Sequence, residues 1–127
     1  MEKKKKVMVI DDEKDFLRIT KLNLEKTNNY EVLTLSKAKE ALPYARSFKP
    51  DIILLDMLMP KIGGIEVCEA LNDDPLGKDI PIIIVSALDK NVDKISAFKN
   101  GVVGYLVKPA GLDKIVSEIE KVLGFKQ

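Results

Sequence analysis

An α/β fold, wound on both faces of a five-stranded parallel sheet, is what this sequence predicts, on three observations. Four short apolar runs recur, at residues 7–10, 52–55, 80–85 and 102–107. Each is continuous rather than alternating, as strands covered on both faces should be. Between the runs the apolar spacing lengthens to about 3.6 residues, the repeat of amphipathic helices. The chain has 127 residues, the size of one domain, so a single unit over 1–127 with one core is expected.

The first strand, 7–10, follows the densest charge run, Lys3-Lys4-Lys5-Lys6. That run reads as a solvated lead-in to the strand. A signal peptide or membrane span does not fit, because only Val7, Met8, Val9 and Ile10 separate it from three acids, where a span needs about 20 apolar residues. A helix follows over 14–28, with a broad apolar arc of Phe16, Leu17, Ile19, Leu22 and Leu24, and stops at Asn28-Asn29. The second strand, 31–35, alternates, with Val32 and Thr34 on one face, which suits the edge of a sheet. The next helix carries Ala38, Ala41, Leu42, Ala45 and Phe48 on one face. Pro43 inside it has no N–H for the Lys39 carbonyl and crowds that carbonyl, so a kink is expected.

The third strand, 52–55, leads to a helix over 65–72 that stops at Asn72-Asp73-Asp74-Pro75. Its Cys68 sits among Ile65 and Leu71, where a small core residue is expected. As the single cysteine it leaves no internal disulfide and fits a reducing compartment. The fourth strand, 80–85, is followed by a helix over 92–100 ending in Asn100-Gly101, where glycine can take the left-handed cap conformation. After the fifth strand, 102–107, the last helix shows Leu112, Ile115, Val116, Ile119, Val122 and Leu123 on one face. Repeated βα units with right-handed crossovers give a flavodoxin-like doubly wound sheet, order 2-1-3-4-5.

Charge narrows the partners. Twenty-one Lys plus Arg against twenty Asp plus Glu, a net +1, gives no overall field toward nucleic acid or an anionic membrane. With no secretion signal visible, a cytoplasmic protein is expected, and direct nucleic-acid binding by this chain is not.

In an open parallel sheet, ligands sit beyond the carboxyl ends of the strands where the strand order reverses, here between strands one and three. The residues there are acids: Asp11-Asp12-Glu13 closes the first run and Asp56 the third. Carboxylates brought together repel one another, a cost that a hard divalent cation relieves; Mg²⁺ suits, since it uses one or two carboxylates and keeps several waters. Taken alone, these acids are equally well read as helix caps, a role open to Asp12 and Asp15. Two further strand ends tip the balance. The fourth closes in Ser86-Ala87, a hydroxyl beside a residue small enough for phosphate to approach the backbone. The fifth closes in Lys108, whose charge at the rim calls for an anionic partner.

Over essentially its whole length the sequence resembles the receiver domains of two-component response regulators. The matching motifs are Asp11-Asp12-Glu13, Leu54-Leu55-Asp56-Met57-Leu58-Met59-Pro60 with Gly63-Gly64, Val85-Ser86-Ala87, and Gly104-Tyr105-Leu106-Val107-Lys108-Pro109. The resemblance implies a phosphoacceptor at Asp56, supplied by a sensor histidine kinase or phosphotransfer protein. It implies Mg²⁺ (or Mn²⁺) held by Asp12, Asp56 and the Leu58 carbonyl, with Asp11 acting through water. It further implies that Lys108, Ser86 and the Ala87 backbone hold the phosphoryl oxygens, that Lys108-Pro109 is cis and aims Lys108 at Asp56, and that Tyr105 turns inward when Ser86 moves. The changed surface, near the 92–100 helix and the fifth strand, would signal to a protein target or to an output domain outside this chain.

Three positions depart from the common pattern: Ala110-Gly111 follows Lys108-Pro109 where an aromatic is frequent, and Leu58 and Leu88 are apolar where polar residues are common. The two leucines are expected to flank the mouth of the site, where they either slow the hydrolytic water or merely pack against neighbouring loops. Other chemistries fit less well. A haloacid-dehalogenase-type phosphohydrolase wants Asp-x-Asp, where this chain has Asp11 and Glu13, and a nucleotide or flavin binder wants a Gly-rich loop after strand one. The remaining alternative is a receiver-like interaction module that is not phosphorylated.

Overall fold

A computed structural model describes residues 3–59, 62–87 and 101–124. Five strands, β1 (Lys5–Ile10), β2 (Tyr30–Leu35), β3 (Ile52–Leu55), β4 (Ile82–Ser86) and β5 (Val102–Val107), form one sheet in the order β2-β1-β3-β4-β5, with every pairing parallel. The described helices are α1 (Lys14–Lys26), α2 (Ala41–Phe48), α3 (Gly64–Asn72) and α4 (Leu112–Leu123). The fold class and strand order are those the sequence predicts. The expected helix over 92–100 and the position of Leu88 lie outside the described residues.

Unbroken apolar runs make sense once the two faces are separated. Met8, Ile10, Ile53, Leu55, Ile82 and Ile84 pack in one layer with Ala41, Ala45, Val67, Cys68 and Leu71 of α2 and α3. Their neighbours along the strands, Val7, Val9, Ile52, Leu54, Ile83 and Val85, pack in the other with Leu17, Leu24, Ile115 and Ile119 of α1 and α4. Successive residues of a strand point to opposite faces, so a strand covered on both sides must be apolar at every position. Cys68 is buried in the first layer, and burial pushes its thiol up to about 12, which makes it the inert core residue expected.

Two local readings are revised and one feature is added. Pro43 does not kink a helix; a short 3₁₀ turn (Ala38–Glu40) precedes α2, which starts afresh at Ala41. Pro43 thereby falls in the first turn, where no intrahelical carbonyl needs its missing N–H. Edge strand β2 is covered on both faces, Tyr30 and Val32 packing in one layer and Leu33 and Leu35 in the other. In β5 the pairing slips by one residue after Val102, so that Ile82 faces Val102 but Ile83 faces Gly104. The extra residue, Val103, is exposed, and the slip sets Tyr105 on the same layer as Val102.

Candidate functional site

The sheet ladder runs one residue beyond three of the strands, and those extra rungs fix the site. The Asp11 N–H donates to the Leu35 carbonyl at 3.1 Å, the Asp56 N–H to the Ile10 carbonyl at 3.0 Å, and the Lys108 N–H to the Ser86 carbonyl at 2.8 Å. Each chemical side chain therefore leaves a backbone pinned to the neighbouring strand. Behind Asp56, the Gly64 N–H donates to the Met57 carbonyl at 3.1 Å. A Cβ on Gly64 would stand 2.7 Å from the Met57 Cα and 2.9 Å from the Asp56 carbonyl oxygen, so α3 can start this close to the β3 end only with glycine there.

One oxygen from each of Asp11, Asp12 and Asp56 lies within 4.8 Å of the others. Asp11 is 1% and Asp56 5% exposed, while Asp12 faces solvent. The Leu58 N–H donates to Asp56 Oδ1 at 3.2 Å, and the Glu13 N–H to Asp11 Oδ1 at 2.9 Å. Burial raises the Asp11 carboxyl above its ordinary 3.8 and the charge of Asp56 adds to this, against the opposing pull of Lys108 and the Glu13 N–H. Three hard oxygen donors, one of them reluctant to carry its charge, fit a divalent cation of the Mg²⁺ type. The competing cap role is absent at the helix start: Glu13 holds the N-cap position of α1 and makes no side-chain cap bond.

The Lys108-Pro109 bond is cis, as the resemblance implies, but the Lys108 ammonium rests elsewhere than expected. Its Nζ lies 2.6 Å from Asp11 Oδ2, 2.5 Å from Glu13 Oε1 and 4.3 Å from the centre of the Phe16 ring, not directly on Asp56. Burial disfavours the ammonium, yet the hydrogen bonds it donates to Asp11 and Glu13, with the charges of Asp11 and Asp56, outweigh it and raise its pKa above 10.5. Ser86 is fully buried at the close of β4, opposite Val107, and Ala87 beside it is exposed. Tyr105 is half-buried against the layer of α2 and α3. Leu58 is exposed beside Asp56.

Glu13 and Phe16 are the residues that sequence reasoning left out of the site. Both had a weak signal: Glu13 belongs to the acidic run, and Phe16 lies three positions on, hence on the same helical face.

The response regulator receiver domain is the family whose model matches, over residues 7–120. This chain belongs to that family. It is 36% identical over 119 residues to the alkaline phosphatase synthesis transcriptional regulatory protein PhoP of Bacillus subtilis, covering 94% of this chain and 48% of that protein. The chain thus spans about half the length of several curated relatives it matches. Among solved structures it is similar to the Vibrio cholerae chemotaxis protein CheY4, with a TM-score of 0.89 at 27% identity over 94% of this chain and 99% of that one. It is similar also to the receiver domain of the Francisella response regulator 1452, at 0.84 and 31% over 94% and 97%. Receiver domains of two-component systems are signalling phosphoacceptors rather than enzymes in the ordinary sense. Among the described residues no helix is long and apolar enough to cross a membrane.

Proposed function

We propose that this receiver domain accepts a phosphoryl group on Asp56 from a sensor histidine kinase or phosphotransfer protein, in a Mg²⁺-dependent transfer. The observation that carries the reading is the convergence of Asp11, Asp12 and Asp56 within 4.8 Å beside the buried end of Lys108. An Asp56 carboxylate oxygen attacks phosphorus; the O–P bond forms as the donor's P–N bond breaks, its electron pair leaving with the donor nitrogen. The Leu58 N–H on Oδ1 fixes the carboxylate plane, so that transfer is largely a matter of positioning and charge. Asp12, Asp56 and the Leu58 carbonyl would hold the cation, with Asp11 acting through water, and Mn²⁺ suits the same oxygen donors. When bound, the cation supplies neutralisation of the charge that gathers on the transferring oxygens.

Lys108, the Ser86 hydroxyl and the Ala87 N–H take the phosphoryl oxygens. About two added negative charges draw Ser86 toward them, and Tyr105 fills the space released, changing the surface beside β5. Residues 1–127 act as one receiver domain in the cytoplasm. With a net charge of +1 the output is a protein contact, either with a separate target or with an output domain, rather than nucleic-acid binding by these residues.

Incubation with Mg²⁺ and phosphoramidate tests the reading. Intact mass is expected to rise by about 80 Da, one phosphoryl group, in the wild type and not in Asp56→Asn, which keeps the fold. Equal gain in both proteins, or none in the wild type, contradicts it.

A further inference from the structure

The Lys108 ammonium has three N–H donors, and the structure gives each a destination: Asp11 Oδ2, Glu13 Oε1 and the face of Phe16. A phosphoryl oxygen on Asp56 can gain one only by displacing a present partner. Asp11 is a poor candidate to leave, because it is buried and its other oxygen accepts the Glu13 N–H at 2.9 Å. Glu13 is the opposite case. Its side chain is 63% exposed, so released carboxylate goes straight to water at little cost. It also stands at the N-cap of α1 without capping the helix, a position where Asp, Asn, Ser or Thr would bond the first free N–H groups. Its reach is spent on Lys108.

We infer that Glu13 is a positioning residue that occupies the Lys108 donor later taken by the phosphoryl group, and so opposes phosphorylation of the resting domain. The inference rests on Asp56 being the phosphoacceptor. Glu13 holds Lys108 over Phe16 until a phosphoryl oxygen replaces it, and its release adds a free carboxylate to the surface at the start of α1. A second consequence is selectivity: the domain charges only when the donor's phosphoryl group outbids a carboxylate already in place.

Phosphorylation by phosphoramidate with saturating Mg²⁺ is followed in wild type, Glu13→Gln, Glu13→Ala and Glu13→Asp. The rate is expected to rise about threefold in the alanine variant, the scale of one partly exposed ion pair. Glutamine, which keeps an acceptor without the charge, should fall between. Aspartate keeps the charge but is one methylene short of Lys108, so it should also gain, and the gains should persist at about 1 M salt, where the Debye length is about 3 Å. An aspartate variant identical to wild type, or gains that vanish in salt, would mean that Glu13 acts only as a surface charge and overturns the inference; so would slower charging in the alanine variant.

The side-chain carboxyl ¹³C signal of Glu13 provides a readout independent of rate. It should start displaced and move to that of a solvated glutamate when phosphodonor is added, whereas a signal that stays put contradicts the exchange. A wild type that gains no mass sinks the phosphoacceptor reading itself; a wild type that labels at the same rate as all three variants sinks only the role of Glu13.

Discussion

Asp74 shows how a single carboxylate can close a structure at a distance from the functional site. Its Oδ1 accepts Arg46 Nη2 at 2.5 Å and Nε at 3.1 Å, and its Oδ2 accepts the Leu76 and Gly77 N–H groups at 2.9 and 3.0 Å. Arg46 and the two N–H groups hold this carboxyl below its ordinary 3.8, Arg46 contributing most. A depressed folded value means that the contribution to stability is present above pH 3.8 and is lost as pH falls through that lower value. Asp74→Asn should therefore melt below wild type at pH 7, and the two melting curves should converge in acid; a gap unchanged down to pH 2 would contradict the assignment. Nothing local in the sequence announced this pair, whose members are 28 positions apart, and Asp73-Asp74-Pro75 read only as a helix stop. Asp11, Asp56 and Lys108 were legible because each directly follows an apolar run whose end had to lie on the rim, and Asp12 because it adjoins Asp11. The Lys108 contact with Glu13 was not, since which carboxylate an ammonium takes depends on side-chain reach across 95 positions.

At the scale of elements, the junction of β3 with α3 matters most to the site. With Gly64 as tight against Met57 and Asp56 as the distances above require, Gly64→Ala must push either the helix start or the Asp56 segment aside. A loss of about 1–3 kcal/mol is expected from such overpacking, together with weaker Mg²⁺ binding, measured by denaturant unfolding and by titration with the ion. Wild-type stability and affinity in that variant would show that the loop yields freely. The edge of the sheet illustrates another kind of fit. Val32 in β2 has its N–H bonded to Glu25 Oε2 at 3.1 Å and its carbonyl to Lys21 Nζ at 2.9 Å, both from α1, so part of this edge is covered by side chains instead of a further strand. Strand identity was readable from composition, and edge position from alternation. The coverage of both faces of β2 was not, because Leu33 and Leu35 join a core layer, shared with residues of α2 and α3, that only the tertiary fold assembles. The Pro43 expectation failed for a related reason: the pattern of apolar positions runs unbroken from Ala38 to Phe48, and a change from 3₁₀ to α winding leaves that pattern almost intact.

For the molecule as a whole, the site couples to stability only as far as ligand linkage allows. Mg²⁺ at tenfold its dissociation constant should stabilise the folded domain by about 1.4 kcal/mol, roughly 5 °C in Tm for a chain of this size. Asp12→Ala and Asp56→Asn should each abolish that increment; an increment that survives both changes would put the ion elsewhere. The fold as a two-layered sheet was legible because its period of apolar runs is global, and it is the sheet that carries residues 45 and 97 positions from Asp11 to one rim. The central claim is that these strand ends make Asp56 the phosphoacceptor. It is tested most directly by treating the domain with phosphoramidate and Mg²⁺, trapping the acyl phosphate with borohydride, which reduces it to homoserine, and sequencing the peptides by mass spectrometry. Homoserine at position 56 alone is the predicted result; homoserine at 11 or 12, or unmodified peptide throughout, would contradict it.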